Sequence, residues 1–459
     1  MLARRPRDIG AAAPAASIDI PRRTLPASLR GSAVAAGARL GAALALAAGC
    51  SGTAAAEGPF SAGSFPGSIL IPGTQTSLKL GGYVKLDYSY DFSAAQNAVG
   101  GLFPNAIPLD ANVPGTHASA GHSTHGVSQL TAAESRFNIE TRTPTEFGEL
   151  KTFIEGDFEN PSGLTNSSTF ETESNSAGFR LRYAYGALGP WLAGQWNSVF
   201  RDTLAEAETL DFNGPMGAGA YRQPQIRYTY PLGPLHIQVA AENPQTFWAD
   251  ATSTTTLGGQ SFTTFGTGQG DKVPDFAASA TYDDTWGHLA LRGIFRDIYD
   301  HNGTAVTQSA FGWGLGISGR INTWGKDDLI FQVNGGDGVG RYMSNFVALV
   351  RDAVVDSAAN RMETIQSWGG LLGYQHWWTA SLRSTVVGSY IKEQNPSGIF
   401  TPAAFAVQAD TWWTTQVNLI WSPVAFVDTG VEFSRENRRI ENGQSGDATR
   451  LQFSTKFRF

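Results

Sequence analysis

Leu451-Gln-Phe-Ser-Thr-Lys-Phe-Arg-Phe459 alternates strictly and stops on an aromatic ring. Successive side chains of a strand point to opposite faces. Leu451, Phe453, Thr455, Phe457 and Phe459 therefore share one side, and Gln452, Ser454, Lys456 and Arg458 the other. With no later element to cover the apolar side, the cover is expected from outside the chain, and lipid is the natural candidate. An edge strand of a soluble sheet is the rival reading.

Composition favours the lipid. Only 16% of the 459 residues are charged, against roughly 25% in a soluble domain. Aromatics reach 11%, Gly numbers 53, and a mean hydropathy of −0.18 excludes a bundle of membrane helices. Few charges with many aromatics and glycines fit a barrel with lipid outside and water inside. A single cysteine, Cys50, rules out a disulfide framework. Residues 1–56 hold seven Arg and two Asp, which leaves 26 basic against 38 acidic residues beyond them, a net of −12. Such a balance argues against nucleic acid as a partner.

The N-terminus reads as an export signal: Arg22, Arg23 and Arg30 precede an Ala/Leu run from Ala33 to Ala48, and Ala54-Ala55-Ala56 offers a small-residue cleavage site. Gly49-Cys50 also resembles a lipoprotein signal, with Ala47 where Leu is usual, and Arg22-Arg23 resembles a twin-arginine signal poorly framed by Pro21 and Pro26. The expected organisation is a removed signal over 1–56, a short periplasmic segment over 57–76, and a barrel over 77–459.

Alternation recurs along the chain. Leu78, Leu80, Val84 and Leu86 oppose Lys79, Tyr83, Lys85 and Asp87; Phe179, Leu181, Tyr183 and Tyr185 oppose Arg180 and Arg182; Phe311, Trp313, Leu315 and Ile317 oppose Ser318 and Arg320. Seven short turns are expected near 144–148, 189–190, 231–234, 284–287, 323–327, 377–379 and 422–424. Eight longer polar segments alternate with them: 91–133, 160–178, 199–222, 244–273, 299–310, 335–364, 392–410 and 435–447. Seven turns and eight loops separate sixteen strands, so both ends lie on the short-turn side and the first strand can pair with the last. The expected fold is all-β, an antiparallel transmembrane barrel with short periplasmic turns and long external loops. Tyr230, Trp286, Trp324, Trp377, Trp378, Trp421 and Phe459 gather at the short-turn ends, where amphipathic rings favour the lipid headgroup level. A β-propeller would need a repeat of about 40–45 residues, and none is found.

Three stretches carry a family resemblance. They are Gly63-Ser-Phe-Pro-Gly-Ser-Ile-Leu-Ile-Pro-Gly-Thr74 followed by Leu78-Lys-Leu-Gly-Gly-Tyr-Val-Lys-Leu-Asp87, then Glu134-Ser-Arg-Phe-Asn-Ile-Glu-Thr-Arg142, then Phe179-Arg-Leu-Arg-Tyr-Ala-Tyr-Gly186 through Gly194-Gln-Trp-Asn197. From about Gly63 to Phe459 the chain resembles the DcaP-like outer-membrane porins. The resemblance implies a homotrimer of sixteen-stranded barrels in the outer membrane of a Gram-negative bacterium, passing small anions, dicarboxylates among them. Some relatives carry a coiled coil before the barrel; the residues between Ala56 and Leu78 contain Gly63, Pro66, Gly67, Pro72 and Gly73 and no heptads, so that route to a trimer is not supported.

A pore selects at its narrowest polar ring. Strand phasing points Arg136, Arg142, Lys151, Arg180, Arg182 and Arg227 into the lumen, partly offset by Glu140, Glu155 and Asp157. Guanidinium forks match carboxylates bidentately; the bland alternative is that these charges pair along the wall. The third loop, Val199–Gln223, is the candidate constriction, with Asp202, Glu206, Glu208 and Asp211 ahead of the pliable Gly214-Pro-Met-Gly-Ala-Gly219. Folded inward, it would set a transverse field against the arginines; left outside, its acids are a solvated surface. His117, His122 and His125 in a Gly/Ser-rich loop are more simply a loop than a metal site, and no metal or cofactor is expected. The pairs Trp377-Trp378 and Trp412-Trp413 could stack sugars, with at least one ring of each expected to face lipid instead. No nucleophile with a base in reach emerges, so no enzymatic activity is expected. The expected function is passive diffusion of small hydrophilic solutes with preference for anions; a sugar-selective channel or a surface-loop adhesin are the alternatives.

Overall fold

A computed structural model describes residues 61–93, 107, 109, 126–159, 178–219, 221–257, 260–268, 272–299, 308–343 and 350–459. The export signal, Cys50 and the three loop histidines lie outside them. Ala62–Phe459 is one compact unit.

Sixteen antiparallel strands form the barrel, numbered here in chain order. The first is β1 (Ser77–Ser93). The second, β2, is broken: Val127–Thr131 and Arg136–Thr145 both pair with β1. There follow β3 (Gly148–Asp157), β4 (Arg180–Leu188), β5 (Trp191–Asn197), β6 (Arg222–Leu232) and β7 (Leu235–Glu242). Next come β8 (Asp275–Asp284), β9 (Gly287–Tyr299), β10 (Ser309–Asn322) and β11 (Asp328–Asp337). The last five are β12 (Gln366–Trp377), β13 (Leu382–Gln394), β14 (Ala409–Val424), β15 (Val427–Ile440) and β16 (Ser445–Arg458). β1 pairs on its other edge with β16, from Tyr83↔Arg458 to Ser93↔Thr449, so the ring closes without an edge. Closure is what lets a sheet sit in hydrocarbon, where an unpaired backbone group has no water to bond.

Burial is inverted relative to a soluble domain. Leu80, Val84, Leu86, Leu315, Ile317, Phe453 and Phe457 are exposed, while Lys85, Asp87, Arg292, Gln416, Glu432 and Arg450 are buried. The terminal strand's apolar side thus faces the lipid and its polar side the lumen. At the short-turn ends Tyr230, Trp286, Trp324, Trp378, Trp421 and Phe459 are exposed, Trp324 to 78% and Phe459 to 68%. Trp377 departs from that girdle: it is half-buried, and Lys326 and Arg383 lie 4.8 Å and 5.3 Å from its ring centre. Trp412 is also not lipid-facing but fully buried, packed with Met216, Val350 and Ile391.

The connections differ from expectation in detail. The eighth long segment is mostly strand, because β15 continues to Ile440 and β16 begins at Ser445. Its alternation was masked by a run of charges from Arg435 to Glu441. The loop after β7 carries a hairpin, Thr246–Leu257 with Gln260–Gly268, whose first strand runs parallel to Ala353–Asp356 of the loop after β11. With Arg361–Thr364 these make a separate four-stranded sheet.

Candidate functional site

The arginine wall starts from a register fault. Between β3 and β4 the pairing slips after Glu155↔Tyr183 to Gly156↔Leu181, leaving Arg182 as the extra residue. A bulge of this kind turns two successive side chains to one face. Arg182 and Tyr183 are both buried in the lumen, and Tyr185 follows Tyr183 inward. The assignment of Tyr183 and Tyr185 to the lipid side is therefore corrected: they form an inward cluster with Phe153 and Trp196, Tyr183 and Trp196 having ring centres 4.2 Å apart.

Arg136, Arg180 and Arg182 converge on two carboxylates. Arg180 forks onto Asp157, Nε to Oδ1 at 2.8 Å and Nη2 to Oδ2 at 2.7 Å. Arg182 donates to Glu155 at 2.9 Å and to Asp157 at 3.0 Å. Arg136 lies 3.5 Å from Glu155 and 3.8 Å from Asp157. Within this group of five, guanidiniums outnumber carboxylates by one. Nearer the short-turn end, Arg142 donates to Glu140 at 2.7 Å, Lys151 sits 3.3 Å from the same oxygen, and Phe65 of the N-terminal segment lies 4.3 Å from the Arg142 guanidinium. The predicted six thus do not form one ring. Arg142 and Lys151 belong to a lower, paired group, and Arg227 stands apart with its Nε buried and unbonded.

Two further cations were not anticipated. Arg222, the first residue of β6, places its guanidinium 5.8 Å from the Tyr183 ring centre, and no carboxylate pairs with it among the described residues. Arg201 donates to Glu206 at 2.6 Å and to Asn197 at 3.2 Å. Arg222 has the opposite parity to Arg227, so alternation alone would send it outward; only its place at a strand end, where the loop joins, could have hinted otherwise.

The third loop lies within the ring of strands, as its bonds show. Arg292 of β9 donates to Phe200 O at 2.5 Å, and Arg320 of β10 to Leu204 O and Glu206 O, each at 2.7 Å. Asn334 of β11 reaches Gly217 O at 2.7 Å, and Asn418 of β14 reaches Glu208 O at 2.8 Å. Glu432 of β15 accepts from Leu210 N at 2.8 Å and Asp211 N at 3.0 Å. Lys85 of β1 and Gln452 of β16 both donate to Leu210 O, at 3.0 Å and 2.9 Å.

The loop's acids do not all oppose the arginines, as a simple transverse field would need. Asp202 is bonded to His288 at 3.0 Å and to Ser318, and Glu208 to Arg383. Glu206 pairs with Arg201 of its own loop, and Asp211 is buried beside Glu432. Non-local pairing of this sort leaves no trace in local spacing.

Part of the lumen is a packed core. On β9, Ile294 points inward between Arg292 and Arg296 and joins Val199, Phe200, Ala240, Ala277, Val339, Tyr342 and Met343. The last two belong to a 3-10 turn, Gly340–Met343, of the loop after β11. Arg296 bonds Asp275 at 3.1 Å and Asp352 at 2.8 Å, tying that loop to β8 and β9. Water-filled space is therefore expected toward β1–β6, beside the arginines.

Residues 67–459 match the family model described as DcaP outer membrane protein. Porin Omp2b of Brucella suis biovar 1 and of Brucella abortus is 27% identical over 170 residues, 36% of this chain and 39% of theirs. The match therefore spans about two fifths of those relatives. Among solved structures, the outer membrane channel DcaP of Acinetobacter baumannii superposes with a TM-score of 0.64 at 22% identity, covering 84% of this chain and 97% of that one. The anion-selective porin from Comamonas acidovorans gives 0.50 at 12% identity, covering 84% and 100%. At such identities the structures share the fold.

Proposed function

Because this chain belongs to the DcaP outer membrane protein family, an outer-membrane porin of Gram-negative bacteria, we propose that it passes small anions by passive diffusion, dicarboxylates among them. The observation that carries the preference is the unequal count at the wall: Arg136, Arg180 and Arg182 share Glu155 and Asp157, beside Arg222, with which no carboxylate pairs among the described residues. Preorganised guanidiniums in a confined lumen attract carboxylates and raise their local concentration. The third loop narrows the lumen opposite that wall and confines solutes to the side of β1–β6. We assign Arg136, Arg180, Arg182 and Arg222 to anion contact, and Arg142, Lys151 and Arg227 to the approach on the short-turn side. Asp202, Glu206, Glu208 and Asp211 serve chiefly to fasten and shape the constriction loop. A homotrimer, a removed signal over 1–56 and a short periplasmic segment over 57–76 complete the reading; it includes no catalytic step and no cofactor.

The test is the reversal potential of single channels in planar bilayers under a KCl gradient, followed by liposome swelling with mono- and dicarboxylates of graded size. Anion selectivity with faster entry of short dicarboxylates is expected; cation selectivity, or no conductance, would overturn the proposal. One observation favours a sugar channel instead: the inward rings of Phe153, Tyr183, Tyr185 and Trp196. Their faces are largely used on one another, with Tyr183, Tyr185 and Trp196 all buried. Block of the ion current by millimolar disaccharide would decide for sugars.

A further inference from the structure

The third loop holds two phenylalanines with opposite fates. Phe200 is fully buried in the core formed with β7–β9. Phe212, at the loop's far end, is only half-buried, and the guanidinium carbons of Arg180 and Arg182 lie 5.1 Å and 5.6 Å from its ring centre. Both distances are within the range of cation–π attraction.

The ring is placed by its backbone rather than by an apolar pocket. On one side, Leu210 and Asp211 are held by Glu432, Lys85 and Gln452. On the other, Asn213 N donates to Asp211 Oδ1 at 2.8 Å, and Thr209 Oγ1 reaches the Asp211 and Gly214 carbonyls at 3.0 Å and 3.2 Å. Gly214 then lies flush against the Gln416 amide, so close that a Cβ there would collide with it. A chain pinned at β14, β15, β16 and β1 thus presents one aromatic side chain across the lumen to β4. A hydrophobic ring left half-exposed on the lumen side of the loop costs free energy.

We propose that Phe212 is a specificity-determining residue of the pore, its ring setting the width of the passage over the Arg180–Arg182 pair. This rests on the anion-channel reading for the identity of the solutes, and on geometry alone for the width. The ring lies over the guanidiniums, so a carboxylate approaching Arg180 or Arg182 does so past its edge. Slender anions pass; bulky ones meet the ring first. The apolar face also excludes water from that side, which strengthens the attraction of the remaining guanidinium donors for an anion.

Phe212→Ala tests this in single-channel recordings and liposome swelling with carboxylates of increasing bulk and with neutral mono- and disaccharides. Because throughput follows pore width, conductance is expected to rise about twofold, with the largest gain for the bulkiest solutes and anion selectivity retained. Phe212→Trp should lower both. Phe212→Leu, which keeps apolar bulk without a ring, carries the test if the alanine variant inserts poorly, and should fall between wild type and alanine. Unchanged conductance and unchanged size dependence in these variants would overturn the proposal. A wild-type pore without anion preference would overturn the anion reading alone, since the neutral sugars still report the width.

Discussion

Arg383 of β13 grips Glu208 of the third loop with both arms of its fork, Nε to Oε2 at 2.6 Å and Nη2 to Oε1 at 2.5 Å. The arginine also donates to Ser422 Oγ at 2.8 Å, so its side chain is held by the wall as well as by the loop. Glu208 is 175 positions away in sequence. The clamp therefore joins a loop to a wall that the chain completes much later.

Replacing Arg383 with Met should loosen the second half of the loop while Asn418 and Glu432 keep their hold on Glu208 O and on Leu210 and Asp211 N. Hydrogen bonds to charged groups contribute about 1.5–3 kcal/mol, and the partial exposure of Glu208 puts this clamp at the lower end. The expected outcome is flickering current with a near-normal mean conductance. Quiet traces indistinguishable from wild type would show that the clamp is dispensable.

Neutralising Arg136, Arg180 and Arg182 together, each to Gln, leaves Glu155 and Asp157 without their cations and turns a net of one positive into two negative charges. The reversal potential should move toward cations. Glu155→Gln alone should move it the other way. If neither shifts, the charges act only as wall structure.

Leu315 and Ser318 lie on β10 and point in opposite directions, Leu315 exposed to lipid and Ser318 buried in the lumen. Leu315→Arg should destabilise the folded barrel by about 2–4 kcal/mol if it sits near the bilayer midplane. Leu315→Phe should be almost neutral. Unfolding in urea from lipid vesicles measures both, and equal stabilities would contradict the assigned outer face.

Asp91 and Arg450 form a buried pair across the seam of β1 and β16, with Nε to Oδ1 at 2.6 Å and Nη2 to Oδ2 at 3.0 Å. Removing one partner of such a pair costs about 3–5 kcal/mol, because the other charge stays buried. Arg450→Met should therefore lower the temperature at which the folded band is lost on an unheated gel. Asp91→Asn combined with Arg450→Met should cost less than the sum of the two single changes.

Much of this barrel was legible because its rule is local. Alternation at Leu451–Phe459 or at Phe311–Arg320 needs only neighbouring residues, and the spacing of turns then counts the strands. What alternation could not reveal was a change of phase. One extra residue at Arg182 moves Tyr183 and Tyr185 from the lipid to the lumen, since a single-residue slip exchanges the two faces. Arg222 escaped for a related reason, lying where strand parity ends. The acids of the third loop were found as a group, but the partners His288, Arg383 and Glu432 are set by the fold of strands far along the chain.

The seam joins residues 359 positions apart, and the grip of Glu432 on Leu210 spans 222. Contacts of such separation are slow to form, because the closure entropy of the intervening chain is lost before any bond is gained. The third loop and the wall therefore depend on the same late event. A ring missing β15 and β16 would lack both the partner of β1 and two of the strands that fasten the third loop. Assembly on this plan is close to all-or-none: hairpins can gather early, but the passage is shaped only when the final strands dock.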